Sequence, residues 1–95
     1  MRAVDKVFDS LAHPTRRRIL ELLKQDEMSA GALAAAFDVS KPTMSAHFAK
    51  LRDAGLIRAD QRGTSIVYSL NLSVLEEAMM GFLDRLGVGA KEGRQ

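Results

Sequence analysis

The 95-residue chain contains no cysteine, which excludes a disulfide framework, a thiolate metal site and a thiol nucleophile. Aromatic residues number only five, one tyrosine and four phenylalanines, so any core must be mainly aliphatic. No run of about eighteen apolar residues occurs, and the first residues form no apolar signal segment. The expectation is a soluble, cytoplasmic protein without membrane insertion. There is no Ser/His/Asp set, no glycine-rich phosphate loop and no cluster of metal-ligating side chains. A domain this small also leaves little room for a cleft. An enzyme is therefore not expected, and no cofactor is implied.

What is present is a globular composition, 46% apolar, in a length that allows one domain. Much of the apolar sequence lies near the two ends, which points to a partner subunit that covers it. The net charge is only +2, but it is unevenly placed. Residues 1–24 come to +3, residues 25–40 to −3, residues 41–62 to +3 and residues 63–95 to −1. The positive segment at 41–62 is the pattern that phosphate binding favours.

Periodicity divides the chain into elements. Val4, Val7, Phe8 and Leu11 form a short helical stripe, and Pro14 suits the first turn of a second helix running to Lys24. That helix should bury Ile19, Leu20, Leu22 and Leu23. Ser29 caps a third, alanine-rich helix through Phe37, with Leu33, Ala34 and Phe37 inward. After the turn Asp38, Val39, Ser40, a fourth helix starts with Pro42 in its first turn and ends at Gly55. Its apolar residues Met44, Phe48 and Leu51 recur at i, i+4, i+7. The third and fourth helices make a helix-turn-helix. From Leu56 the period shortens. Ile66, Tyr68 and Leu70 alternate with Ser65, Val67 and Ser69, with Leu56–Ala59 as the partner strand and residues 60–64 as a polar turn. Ser73 and Glu76 are spaced as a capping box for a last helix carrying Leu75, Ala78, Met79, Phe82, Leu83 and Leu86. The fold expected is mainly α with a β-hairpin (α+β), in the order α-α-α-α-β-β-α. One winged helix-turn-helix domain would span residues 1–86, with a flexible tail at 87–95.

Between its apolar positions the fourth helix carries Lys41, Thr43, Ser45, Ala46, His47 and Lys50, a face of short, polar and basic side chains. Such a face lets a helix approach base edges in a major groove. An ordinary amphipathic surface helix could look the same, and this stretch alone does not separate the two.

The segments HPTRRRIL (His13–Leu20), VSKPTMSAHFAKLRDAGLI (Val39–Ile57) and VYSLN (Val67–Asn71) are similar, in order and spacing, to the ArsR/SmtB family of bacterial winged-helix repressors. The similarity covers roughly residues 3–86 and is nearest to the family's metal-independent branch. It implies a homodimer built on the first and last helices, bound to double-stranded DNA across a palindromic operator. The DNA-reading helix then maps onto Lys41–Leu51. The family's thiolate motif falls where this chain has Ser29 and Gly31 in place of the two cysteines, neither of which binds a soft metal. The family's alternative metal site uses carboxylates and histidines on the last helix, which here has Glu76, Glu77 and Asp84 but no histidine. Ala46 stands where many members have histidine, so one contact is lost or becomes apolar, for instance with a thymine methyl.

On this reading the DNA-binding candidates are Lys41, Thr43, Ser45 and Ala46, with Pro42 chiefly starting the helix. His47 either donates to a phosphate or stabilises helix packing. Lys50 is a phosphate contact or a solvated charge. Arg62, beside the turn-forming Gly63, is the candidate for the minor groove. Among the arginines of the second helix, Arg16 could touch phosphate, although an intramolecular salt bridge is the commoner outcome for such a run. His13 would cap that helix. Val4, Val7, Phe8, Leu75, Met79, Phe82, Leu83 and Leu86 form either monomer core or a dimer interface, and the interface is favoured because the inner helices leave them little to cover. Nothing names an inducing signal; an anti-repressor protein and a small molecule both stay open. The competing function is a winged-helix protein-interaction module controlled by an anti-repressor. A protein interface should show aromatic anchors, and the only aromatic on the fourth helix is Phe48, assigned to the core.

Overall fold

His13 precedes a proline, which disfavours helical backbone there, and its φ of −110° and ψ of 129° are extended. That single restriction splits the N-terminal apolar stretch into α1 (Ala3–Leu11) and α2 (Pro14–Gln25). Pro14 takes the first helical position, and His13 Nδ1 accepts the Thr15 N–H at 3.0 Å, so histidine caps α2 as expected. The computed structural model of the chain describes residues 2–88. The proposed tail therefore falls, from residue 89 onward, outside the described residues.

Ser29 caps α3 (Ala30–Ala35) by accepting the Ala32 N–H at 3.0 Å. The helix stops two residues before Phe37. Ala36 and Phe37 donate to the carbonyls of Leu33 and Ala34, three residues back, which tightens the exit into a turn. Ser40 then caps α4 (Lys41–Asp53), accepting from Thr43 N–H at 3.3 Å and donating to Thr43 Oγ1 at 2.9 Å. The end of α4 is a Schellman motif. Gly55, at φ +80°, donates to Arg52 O, and Leu56 N–H reaches Leu51 O at 3.0 Å. Leu51 and Leu56 are both fully buried, so the motif turns the chain while keeping its apolar ends inside.

The sheet has three antiparallel strands in the order β1-β3-β2: β1 (Met28–Ser29), β2 (Ile57–Arg62) and β3 (Ser65–Leu70). Strand β1 is an addition to the expected hairpin. Met28 lies opposite Tyr68 and Ser29 opposite Val67, and two residues are too few to show alternation in sequence. The wing also differs from expectation. Pairing continues to Arg62 opposite Ser65, leaving only Gly63 and Thr64 as the turn instead of residues 60–64. Gly63 has φ +61° and no described non-glycine residue has positive φ, which is the pattern of a type II′ turn. That turn matches the right-handed twist of its strands, so the ladder extends through the polar residues to the tip.

Helix α5 (Leu72–Arg85) begins at Asn71 with no side-chain cap bond, so the expected Ser73–Glu76 box does not form. Asn71 N–H instead donates to Leu56 O at 2.8 Å, and this bond to the exit of α4 sets where the last helix starts. Gly87, at φ +79°, ends it as expected. The core gathers Ile19, Leu20 and Leu23 of α2, Leu33 of α3, Met44, Phe48 and Leu51 of α4, and Tyr68 of β3. Phe48 packs on Tyr68 with ring centroids 4.7 Å apart. Val7, placed among the interface residues from sequence, is only 3% exposed and belongs to this core. Among the described residues, no helix is long and apolar enough to cross a membrane.

Candidate nucleic-acid interface

The buried residues of α4 are Met44, His47, Phe48 and Leu51. Its outward face presents Lys41, Pro42, Thr43, Ser45, Ala46, Ala49 and Lys50. The helix thus packs along one stripe and offers on the other a surface with no side chain bulky enough to hold a duplex away. Lys41 has no ionic or hydrogen-bonded side-chain partner among the described residues, so its charge is available at the first turn.

His47 lies on the inner side. It is 7% exposed, its Nδ1 is 3.2 Å from an Arg16 amino nitrogen, and its ring stands 4.6 Å from that of His13. Arg16 also donates from Nε to Ser10 O at 2.8 Å and from its other amino group to Asp9 O at 3.3 Å. It therefore ties down carbonyls at the C-terminal end of α1 while bracing α4. Arg17 donates to Leu11 O, and Arg18 pairs with Glu21, so all three arginines of the run have intramolecular partners. Two ion pairs and a hydroxyl complete a polar seam between α1 and α4: Lys50–Asp9 at 2.9 Å, Lys6–Asp53 at 3.2 Å, and Ser10 Oγ donating to Lys50 O at 3.3 Å. Lys50 is thus held at the edge of the outward face, and its ammonium keeps the Asp9 carboxyl below the usual carboxylate range.

Burial, with the charges of His13 and Arg16 behind it, lowers the His47 pKa below its ordinary 6.5. A depressed value means that the unfolded chain takes up the proton first as pH falls. The stability that neutral His47 contributes is complete above the unfolded value and is lost as pH drops through the lowered folded one. Urea midpoints should therefore fall between about pH 7.5 and about pH 5, and His47→Gln should flatten that change. An unchanged pH response in the variant would show that some other group is responsible. Asp9 and Glu27 do not interfere, because their carboxyls are shifted below 3.8 and 4.5 and titrate at lower pH.

On the wing, Arg62 is exposed but not free. Its amino groups reach Glu27 Oε2 at 2.6 Å and Oε1 at 3.2 Å, and its Nε donates to Asp60 Oδ2 at 2.9 Å. These bonds raise the Arg62 pKa and hold the Glu27 carboxyl below its usual range. Gln61 braces the tip by donating to Gly63 O at 3.0 Å. Sequence reading missed Arg58, which is exposed and has no ionic partner among the described residues. The signal was there: 58, 60 and 62 alternate along one face of β2.

A family model for a helix-turn-helix domain matches residues 11–59. The chain is 40% identical to the transcriptional repressor SdpR of Bacillus subtilis over 90% of its own length and 96% of that protein. The ArsR-like transcriptional regulator from Rhodococcus sp. RHA1 superposes with a TM-score of 0.78 at 29% identity, covering 97% of this chain and 84% of that one. A homodimeric winged helix-turn-helix DNA-binding domain from Mycobacterium bovis, a possible ArsR-family regulator, superposes at 0.72 with 30% identity, over 87% and 78%. This chain belongs to the ArsR family of winged helix-turn-helix transcriptional regulators.

In this ArsR-family chain the position of the thiolate motif is spent on structure. Ser29 uses its hydroxyl to cap α3, and Gly31 faces open space. Among the described residues no group of three or more His, Cys, Asp or Glu side chains could hold a metal ion. The residues expected at a dimer interface divide in two. Val4, Phe8, Leu75 and Met79 are half-buried within the monomer, and Phe8 meets Phe82 edge-on at 5.5 Å. Phe82, Leu83 and Leu86 are exposed by 48%, 41% and 61%, and Met80, which sequence reading passed over, by 59%. The second half of α5 therefore displays an apolar surface that this subunit leaves uncovered.

Proposed function

We propose that this ArsR-family regulator is a cytoplasmic, dimeric repressor that binds a palindromic operator. The observation that carries the reading is the outward face of α4, where Lys41, Thr43, Ser45 and Ala46 stand clear of the core on a helix locked at both ends. In this reading α4 lies in the major groove, its first turns read base edges, and Pro42 starts the helix without contacting DNA. Lys50 and the wing residues Arg58, Arg62 and Gly63 follow the backbone and the flanking minor groove. Arg16 and His47, expected from sequence as possible contacts, act from inside by fixing α4 against α1. A second copy covers Met80, Phe82, Leu83 and Leu86 of α5, and two-fold symmetry then sets the two recognition helices roughly 34 Å apart.

The test is selection of bound duplexes from random-sequence DNA, followed by a salt series. The expected result is an inverted repeat whose affinity falls steeply as salt rises from about 50 to about 200 mM. Recovery of no motif, together with a stoichiometric protein partner, would overturn the reading in favour of a protein-interaction module under an anti-repressor.

A further inference from the structure

Arg62 meets Glu27 in the two-pronged geometry with which a guanidinium also grips a phosphate. The amino-group distances are 2.6 and 3.2 Å, and Asp60 takes the remaining Nε–H at 2.9 Å. The donors that would bind DNA backbone are therefore already directed at carboxylates. Glu27 comes from the connection between α2 and β1, 35 residues away in sequence. It is held there because Met28 pairs with Tyr68 and β3 in turn pairs with β2. The Glu27 backbone is fixed as well, with its N–H donated to Asp26 Oδ1 at 2.8 Å. Both side chains of the pair are about half exposed, so the pair is open to competition from a phosphate.

We propose that Glu27 is an affinity-limiting residue: it occupies Arg62 in place of a DNA phosphate and so lowers the sequence-independent part of DNA binding. The proposal rests on the DNA-binding reading given above. While the pair holds, Arg58 is the wing's one cation without an ionic partner among the described residues, and Arg62 neutralises phosphate only to the extent that Glu27 releases it. Sequence-independent affinity scales with the number of phosphates neutralised. Withholding one such phosphate per subunit lowers binding to all DNA alike, so that at a given protein concentration only duplexes whose bases α4 also reads stay occupied. The short β1 strand acquires a role in this scheme, since it brings the carboxylate beside the wing.

The experiment compares wild type, Glu27→Gln, Asp26→Asn, Arg62→Ala and the Glu27→Gln/Arg62→Ala double variant. The probes are a duplex selected by the wild-type protein and a scrambled duplex of the same composition. Glu27→Gln is expected to bind the scrambled duplex roughly two- to five-fold more tightly at low salt, with a log–log salt slope steeper by about 0.9 for each additional phosphate neutralised. The selected duplex should gain by a similar factor, so that the ratio of the two affinities stays near its wild-type value. Asp26→Asn removes the same charge one residue away without touching Arg62 and should give the smaller effect. Arg62→Ala should cost more affinity in the Glu27→Gln background than in wild type. In the free protein, the Arg62 Nη–H resonances, which belong to the groups bonded to Glu27, should move on Glu27→Gln. An equal response to Asp26→Asn reduces the effect to bulk charge and overturns the proposal, as does weaker or unchanged DNA binding by Glu27→Gln, or an unmoved Arg62 signal. Wild-type protein that shows no salt-dependent binding to either duplex overturns the DNA-binding reading itself, which these other failures leave standing.

Discussion

Leu86→Glu is expected to convert the protein to a monomer and to weaken operator binding by about a hundredfold or more. Leu86 is 61% exposed at the end of α5, in line with Met79, Phe82 and Leu83 at helical spacing. A contiguous apolar surface left open to solvent marks an interaction site. In a two-fold interface a carboxylate placed there faces its own copy, and burying unpaired charge costs several kcal/mol per ion. Within one subunit the same change meets solvent, so the fold should survive. The affinity loss follows from linkage. A dimer that has docked one recognition helix holds the second at high effective concentration over the other half-site, whereas a monomer must bind each half-site independently. Sedimentation and fluorescence anisotropy, with circular dichroism to verify folding, check the prediction together. A folded Leu86→Glu monomer that bound the full operator as tightly as wild type would remove dimerisation from the mechanism. A variant that remained dimeric would move the interface elsewhere.

The parts of this architecture that were legible in sequence are those fixed by local chemistry. Ser40, Pro42 and Gly55 delimit α4 because a cap, a fixed φ and a left-handed backbone act within one turn of the chain. The spacing of Met44, Phe48 and Leu51 told which side of α4 is buried. What was not legible depends on distant partners. The start of α5 is set by the Asn71–Leu56 bond across the fold, not by its own Ser73 and Glu76. Strand β1 exists because Met28 and Ser29 lie beside a hairpin that forms some forty residues later. For His47 the sequence left phosphate contact and helix packing both open; it packs inward because Arg16 and His13 meet it from the start of α2. Arg62 read as a free cation at a loop tip. It is a strand residue with two carboxylate partners, one of which sequence distance concealed.

Ala46→Glu is expected to abolish specific DNA binding while leaving the protein as stable as before, or slightly more so. Ala46 is exposed on the second turn of α4, between Ser45 and the buried His47. In the free protein a glutamate there is solvent-exposed, sits four residues before Lys50, whose pair with Asp9 it adds to on the same helix face, and is a good helix former. Thermal unfolding should therefore show no loss. At the DNA the same side chain enters a groove lined by phosphates, where like charges brought together cost several kcal/mol, a loss of a hundredfold or more. A longer side chain at this position also removes the close approach that alanine permits to a thymine methyl. Ala46→Ser separates these two effects: it keeps the size small and the charge unchanged, and should alter base preference at one position with little loss of overall affinity. Both variants are read by anisotropy on the selected duplex and on duplexes substituted at single base pairs. If Ala46→Glu bound as wild type does, the outward face of α4 would not lie in the groove, and the helix would have to meet DNA through another surface or not at all.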